Sequence, residues 1–270
     1  MTFVRLGGLA HHVAVDGHGP VCVLSAGLGL AWFDWDPVVP LLAPHRTVVR
    51  FDRPGHGLTQ ESTAPPTLAG EADRIAALLD ALRLPGPVTV VGHSIAGLHA
   101  EGFARLHPHL TAALVLVDSS VEDHPRPGGP ALAAAAEAAG TALTALGLPA
   151  ALGPALRRLA VRPDPAPPAG VRRVYRASRV WRGALRENAS YGSVAAELLA
   201  LRRTHPLPPA APVTVLAAPD GSARWEDRQR TLARRLGARH VAAVPSGHLV
   251  MRDAPGTLAR VVLQALQEAA

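Results

Sequence analysis

Lysine is missing from this 270-residue chain, so all 27 basic residues are arginine, set against 21 acidic ones. Alanine, glycine and proline are abundant beside the arginine, the mark of a genome composition bias. The sequence pI near 11.0 therefore argues only weakly for a nucleic-acid partner, and none is expected. Cysteine occurs once, at Cys22, which excludes an internal disulfide. Its place in an apolar run is that of a small buried thiol, and nothing requires an oxidising compartment. The first twelve residues lack a charged leader followed by an unbroken apolar stretch, so no secretory signal is expected and the chain reads as cytoplasmic. One long uncharged stretch, 138–156, is interrupted by Gly140, Gly147, Pro149, Gly153 and Pro154, which argues against a membrane span. H-E-x-x-H and paired Cys/His spacings are absent, as are a P-loop and a G-x-G-x-x-G at a strand–helix start. Neither a metal nor a cofactor is expected. There is no internal repeat and no heptad seam, which leaves the oligomeric state unspecified.

Hydrophobic residues make up 48% of the chain and charged ones 18%, with mean hydropathy +0.16, enough to bury a sizeable core. The charge is uneven. Residues 151–205 hold eleven arginines against Asp164, Glu187 and Glu197, a local excess of eight, while the remainder is slightly acidic. Apolar β-rich runs at 9–15, 21–25, 47–51, 88–91, 113–117, 213–217 and 240–244 alternate with helical stretches at 35–42, 68–84, 95–106, 225–236 and 255–268. That alternation predicts a mostly parallel sheet covered by helices on both faces. It stops at Ser119 and resumes near Pro212. The interval is proline-rich at its edges and has helical periodicity over 171–186 and 194–203. An α/β core in two parts, 1–120 and 212–270, with a helical cap inserted at 121–211, is the expected organisation.

The sharpest local signal is the run 88–91 followed by Gly92-His93-Ser94-Ile95-Ala96-Gly97 and then a helical stretch. A serine at the apex of a strand–turn–helix is held in a strained backbone that lifts its Oγ above the sheet, and the helix N-terminus favours developing negative charge. Small residues are required on either side. Gly92 meets this, and Ala96 stands where a strict G-x-S-x-G would place its second glycine, now at Gly97.

With Ser94 in this context the chain resembles the α/β-hydrolase superfamily over almost its whole length. Phe51-Asp52-Arg53-Pro54-Gly55-His56-Gly57 resembles the family's D-x-x-G-x-G turn after the fourth strand. Asp220, just beyond the run ending at Ala218, matches the usual acid, and Ser246-Gly247-His248 matches the late histidine. The resemblance implies an α/β-hydrolase fold with a mostly parallel eight-stranded sheet, helices on both faces and an inserted helical cap. It implies Ser94 as nucleophile, His248 as general base and then acid, and Asp220 as the residue orienting it. Asp118 also ends a β-rich run and is the alternative acid; otherwise it caps its strand. The oxyanion donors implied are the backbone N–H groups of Ile95 and of Leu28 in Ser25-Ala26-Gly27-Leu28-Gly29, where Ala26 replaces the family's usual histidine before glycine.

Other residues carry two readings. Trp32, near Phe33 and Trp35, is either a pocket wall or core. His93 is structural or pocket-lining. Tyr175, Trp181 and Tyr191, the only Tyr and Trp in the expected cap, are candidates to line the substrate site. Asp52, Arg53 and His56 are expected to stabilise a tight turn by local hydrogen bonds. Arg172, Arg173, Arg176 and Arg179 form a solvated helix face or attract an anionic substrate. The resulting expectation is a cofactor-independent, carboxylesterase-like serine hydrolase acting on a small acyl substrate. A lactonase, a thioesterase or a carbon–carbon bond hydrolase of a keto acid is an alternative within the class, and a non-catalytic ligand-binding protein of the same fold is the alternative outside it.

Overall fold

In the computed structural model, residues 2–161, 164, 166–219 and 222–265 are described. Their eight strands form one sheet: β1 (Thr2–Leu6), β2 (Leu9–Asp16), β3 (Val21–Ser25), β4 (Thr47–Phe51), β5 (Val88–His93), β6 (Thr111–Val117), β7 (Val213–Ala217) and β8 (Arg239–Ala242), in the spatial order β1-β2-β4-β3-β5-β6-β7-β8. β1 and β2 are antiparallel to their neighbours and the pairings from β4 to β8 are parallel. Every residue of β3 and β5 is buried, as expected of continuous apolar strands covered on both faces.

The helices are α1 (Val39–Leu42), α2 (Leu68–Ala81), α3 (Ala96–Leu106), α4 (Pro130–Ala145), α5 (Leu148–Ala160), α6 (Pro168–Tyr175), α7 (Ser178–Thr204), α8 (Ala223–Leu236), α9 (Val250–Asp253) and α10 (Pro255–Gln264). One sheet face packs Val23, Val90 and Leu114 against Ile75 and Leu78 of α2, Phe103 of α3 and Leu232 of α8. The other packs Leu24, Val91 and Val115 against Leu42 of α1 and Leu258 and Val262 of α10. Cys22 belongs to this second layer, and burial pushes its thiol up to about 12.

The order β4-β3-β5 makes β3 the point from which the chain winds outward in both directions, and loops diverge there to leave a crevice above the carboxyl ends of the strands. Register brings those ends level: Ser25 lies opposite Gly92, His93 opposite Val117 and Val117 opposite Leu216.

Where the alternation breaks, α4 to α7 stand between β6 and β7. They differ in detail from the sequence expectation. The stretch 171–186 is split at Arg176 and Ala177, while α7 runs unbroken through the 186–194 interval for 27 residues. The expected helix at 35–42 is a 3-10 turn, Trp32–Trp35, followed by the single turn of α1, with Pro37 between them offering no backbone N–H to continue the ladder. No single helix among the described residues is long and apolar enough to cross a membrane, and the apolar pair α4–α5 is bent by 102°.

Candidate active site

Ser94 follows β5 directly and carries φ +55, a left-handed conformation rare for a residue with a Cβ. Its backbone is fastened on both sides: Ser94 N–H donates to the Val117 carbonyl at 3.1 Å, and its own carbonyl accepts from Ser120 N–H and Gly97 N–H at 3.0 Å. The small neighbours have individual reasons. A Cβ on Gly92 would run into the Ala96 carbonyl, and one on Gly97 would run into Ser119 Oγ, so both glycines permit the sharp turn and its seating on β6. Ala96 is accommodated because the close approach falls on Gly97 instead.

His248, in the loop after β8, meets Asp118 at the end of β6: Nδ1 and Asp118 Oδ2 are 2.6 Å apart. Asp118 Oδ1 accepts from Ala218 N–H at 3.0 Å and from Trp225 Nε1–H at 2.8 Å, so both carboxylate oxygens are held by donors. Asp118 is 2% exposed while the His248 side chain is 47% exposed, a buried anchor holding a half-exposed imidazole. Asp118 also has a positive φ, +40, the second non-glycine strain point at a strand end here. Asp220, favoured from the sequence as the histidine's partner, lies outside the described residues; the Nδ1 that would reach it is already engaged by Asp118.

His93 does not face the crevice. It is 1% exposed, its Nε2–H donates to the His248 carbonyl at 2.8 Å, and its ring lies 4.6 Å from that of His248. It therefore positions the histidine loop rather than lining a pocket. Burial, followed by the neighbouring His248, lowers its pKa to about 3. A histidine uncharged when folded and charged when unfolded gives stability that is complete above about pH 6.5 and declines as pH falls toward 3. The slope is about 1.4 kcal/mol per pH unit for one such group. His99, also fully buried with a lowered pKa, acts in the same direction. Urea unfolding at about pH 7 and pH 5 checks this: the wild type loses stability on acidification and His93→Asn loses less, whereas a pH-independent midpoint would contradict it.

The loop after β3 lies against the elbow. A Cβ on Gly27 would sit 2.8 Å from His93 Nδ1 and 3.1 Å from Ser94 Cβ, so only glycine lets the loop come this close. The amides of Leu28 and Ile95 donate to no backbone or side-chain acceptor among the described residues. The support expected from a histidine at position 26 comes from elsewhere. Arg53 donates through Nη1 to the Ala26 carbonyl and through Nη2 to the Gly27 carbonyl at 3.1 Å, and Tyr175 Oη–H donates to the Gly29 carbonyl at 2.9 Å. The sequence reading of Arg53 as a local turn stabiliser is corrected here, since its partners are distant in the chain. Asp52 does act locally, accepting from Leu58 N–H at 3.0 Å, and it also accepts from Trp32 N–H and His12.

Beside Leu28 opens a cavity of about 450 Å³, mostly apolar, walled on the other side by Leu156, Tyr175, Trp181, Leu185 and Asn188 of the inserted helices. Of the residues singled out from the sequence, Trp181 and Tyr175 line this cavity. Trp32 does not: it is 7% exposed and packs edge-on against His12 and Phe33 in a core cluster. Tyr191 lines a separate cavity with Glu122 and His124, and packs against the apolar cluster that contains Ile95 and Leu98.

Three arginines of this region tie the inserted helices to loops of the core. Arg157 pairs with buried Asp34 and with Asp164, Arg179 donates to the Gly57 and Thr59 carbonyls, and Arg182 pairs with Glu61. Of the four arginines read as either a solvated face or an anion attractor, Arg172, Arg173 and Arg176 are exposed on or just after α6, and Arg179 is engaged as described. Among the described residues no three His, Cys, Asp or Glu side chains are grouped to hold a metal ion.

A family model described as Alpha/beta hydrolase family matches residues 18–261. A pimeloyl-(acyl-carrier protein) methyl ester esterase of Xanthomonas campestris pv. campestris is 35% identical over 105 residues, 39% of this chain and 39% of that protein. A 2-hydroxy-6-oxo-6-(2'-aminophenyl)hexa-2,4-dienoic acid hydrolase of Metapseudomonas resinovorans is 31% identical over 121 residues, 44% of this chain and 42% of that protein. The matched segments thus span well under half the length of these curated relatives. The crystal structure of an enol-lactonase from Burkholderia xenovorans LB400 superposes with TM-score 0.71 at 22% identity, covering 98% of this chain and 100% of that one.

Proposed function

The chain belongs to the alpha/beta hydrolase family, and we propose that within it the protein is a serine hydrolase that cleaves a carboxylic ester or related acyl compound through an acyl-serine intermediate. The observation that carries this reading is the strained Ser94 turn at the head of β5 together with the histidine loop beside it: His93, the residue before Ser94, binds the His248 carbonyl, and buried Asp118 holds the His248 imidazole. Ser94 Oγ attacks the acyl carbon as its proton passes to Nε2 of His248; Asp118 keeps the imidazole in the tautomer with Nδ1–H and stabilises its cation. The oxyanion is received by the Leu28 and Ile95 N–H groups, each donor of this type contributing about 3 kcal/mol to lowering the barrier. Collapse expels the alcohol, protonated by His248, and water then attacks the acyl-serine with His248 again as base.

The inserted helices α4 to α7 act as the cap, and the apolar cavity beneath them takes the acyl chain. This favours an uncharged substrate over an anionic one. Among the described residues lining the cavity the one charged side chain is Arg157, already paired with Asp34 and Asp164. A keto-acid carbon–carbon hydrolase, the activity named for the 31% identical relative, would need a cation for its carboxylate there, so the ester reading stands first. The absent histidine at position 26, the best argument for a non-catalytic ligand-binding protein, loses force because Arg53 and Tyr175 hold the loop's carbonyls. Rapid-quench hydrolysis of p-nitrophenyl butyrate tests the reading. A burst of one nitrophenol per chain, with the butyryl mass on the peptide containing Ser94, is expected; turnover without an acyl-enzyme would overturn it.

A further inference from the structure

The geometry points to Arg53 and Glu187 as positioning residues that make the oxyanion site depend on the filling of the apolar cavity, an inference that rests on the serine-hydrolase reading above. The Gly27 carbonyl and the Leu28 N–H belong to one planar trans peptide, so they point in opposite directions. Arg53 Nη2–H binds that carbonyl at 3.1 Å, and Nη1–H binds the Ala26 carbonyl one residue earlier. Holding the carbonyl toward Arg53 aims the Leu28 N–H the other way. A guanidinium in its fixed planar fork thereby sets the direction of the donor.

Nη1–H also reaches Ser25 Oγ at 3.4 Å, and the Nε edge of the fork is committed to the cap. Arg53 Nε–H and Nη2–H donate to Glu187 Oε1 and Oε2 at 2.6 and 2.9 Å, a bidentate pair whose side chains are 4% and 5% exposed. Glu187 lies on α7, whose Trp181, Ala184, Leu185 and Asn188 wall the cavity beside Leu28. Backbone contact backs this up. Gly183 of α7 and Gly55 of the turn that carries Arg53 meet without side chains between them, since a Cβ on either would lie within 2.9 Å of the other's Cα. One helix therefore presents residues to the acyl chain and, through Glu187, its carboxylate to the residue that orients the oxyanion donor. A second tether, Tyr175 Oη–H to the Gly29 carbonyl, runs from α6 to the far end of the same loop.

The consequence is a preference expressed in rate rather than in binding alone. An acyl chain that fills the cavity seats α7, which fixes Glu187, Arg53 and the Leu28 N–H; a short chain leaves them less well ordered. The test is pre-steady-state acylation by p-nitrophenyl esters from acetate to octanoate. It uses the wild type, Glu187→Gln, and the paired variant Arg53→Met with Glu187→Leu, which removes both charges and leaves neither buried alone. In the wild type the saturating acylation rate rises roughly tenfold or more along the series. In both variants this rise disappears, while the half-saturating concentration still falls with chain length because the cavity wall is intact. Variants that retain the wild-type gradient, or that slow acetate and octanoate by the same factor, overturn the proposal. So does a wild-type rate independent of chain length, whatever the variants do. Labelling of wild-type Ser94 by diisopropyl fluorophosphate separates the two levels: if it fails, the serine reading falls, whereas labelling with a flat gradient removes this inference alone.

Discussion

Replacing Ser94 or His248 by alanine lowers kcat/KM for an activated ester by roughly 10⁴- to 10⁶-fold with the fold retained. Both side chains act in the same step, so the double variant falls little further than either single one; a summed loss would mean that they work independently. Retention of structure is expected because neither side chain supports the core. Ser94 is bound through its backbone to Val117, Gly97 and Ser120, and the His248 side chain is 47% exposed. Steady-state kinetics beside a thermal melt check the pair of statements. A loss below about tenfold in either variant, with the melt unchanged, would contradict the assignment.

Asp118→Asn has the second largest effect, a fall in turnover of roughly 10³- to 10⁴-fold. The carboxylate accepts from three donors, Ala218 N–H, Trp225 Nε1–H and His248 Nδ1–H. An amide has one oxygen and one NH2 group, so at least one donor is left facing a donor. If the NH2 faces His248, the imidazole must present Nδ1 as acceptor and carry its proton on Nε2, where it cannot accept one from Ser94. If it faces Trp225 and Ala218, a buried unpaired donor costs about 1–3 kcal/mol of stability. Asp220→Asn, measured beside it, changes turnover by less than about threefold on this account. The reverse ranking would return the orienting role to Asp220.

Why the sequence favours Asp220 over Asp118, the carboxylate that meets His248 Nδ1 in the structure, is a matter of reach. Asp118 and Asp220 both follow apolar runs that become strands, β6 and β7, and which of the two the late histidine faces depends on how the loop after β8 folds back across the sheet. Nothing in local pattern encodes that crossing. Ser94 is legible because its signal is local: a buried strand, small residues at 92, 96 and 97, and a helix start within nine positions. The parallel core is legible for the same reason, since continuous apolar runs alternate with amphipathic ones.

Arg53 is the clearest residue whose role is hidden. It sits in a turn whose neighbour Asp52 does make local hydrogen bonds, yet its own partners are Ser25, Ala26, Gly27 and, 134 positions along the chain, Glu187. A buried arginine and a buried glutamate in distant segments are signals only once burial is known. The inserted helices were partly hidden for a different reason. In α4 alanine occupies most positions on every face, so no polar and apolar sides alternate, and one glycine at its middle is buried against Arg182. In α7 the interval around Gly192 reads as a break, but Gly192 lies so close to the Arg126 backbone that a Cβ would not fit, and packing keeps the helix continuous. The separation of Tyr175 and Trp181, which wall the cavity, from Trp32, which fills the core, likewise follows from where the chain folds rather than from the residue types.

The measurement that bears most directly on the central claim is intact-mass analysis after exposure to an alkyl fluorophosphonate, with the wild type and Ser94→Ala side by side. One phosphonyl adduct is expected on the wild type, located to the peptide carrying Ser94, and none on the variant, because only a hydroxyl activated by His248 reacts at a useful rate. An unmodified folded wild type, or an adduct that persists in Ser94→Ala, would contradict it.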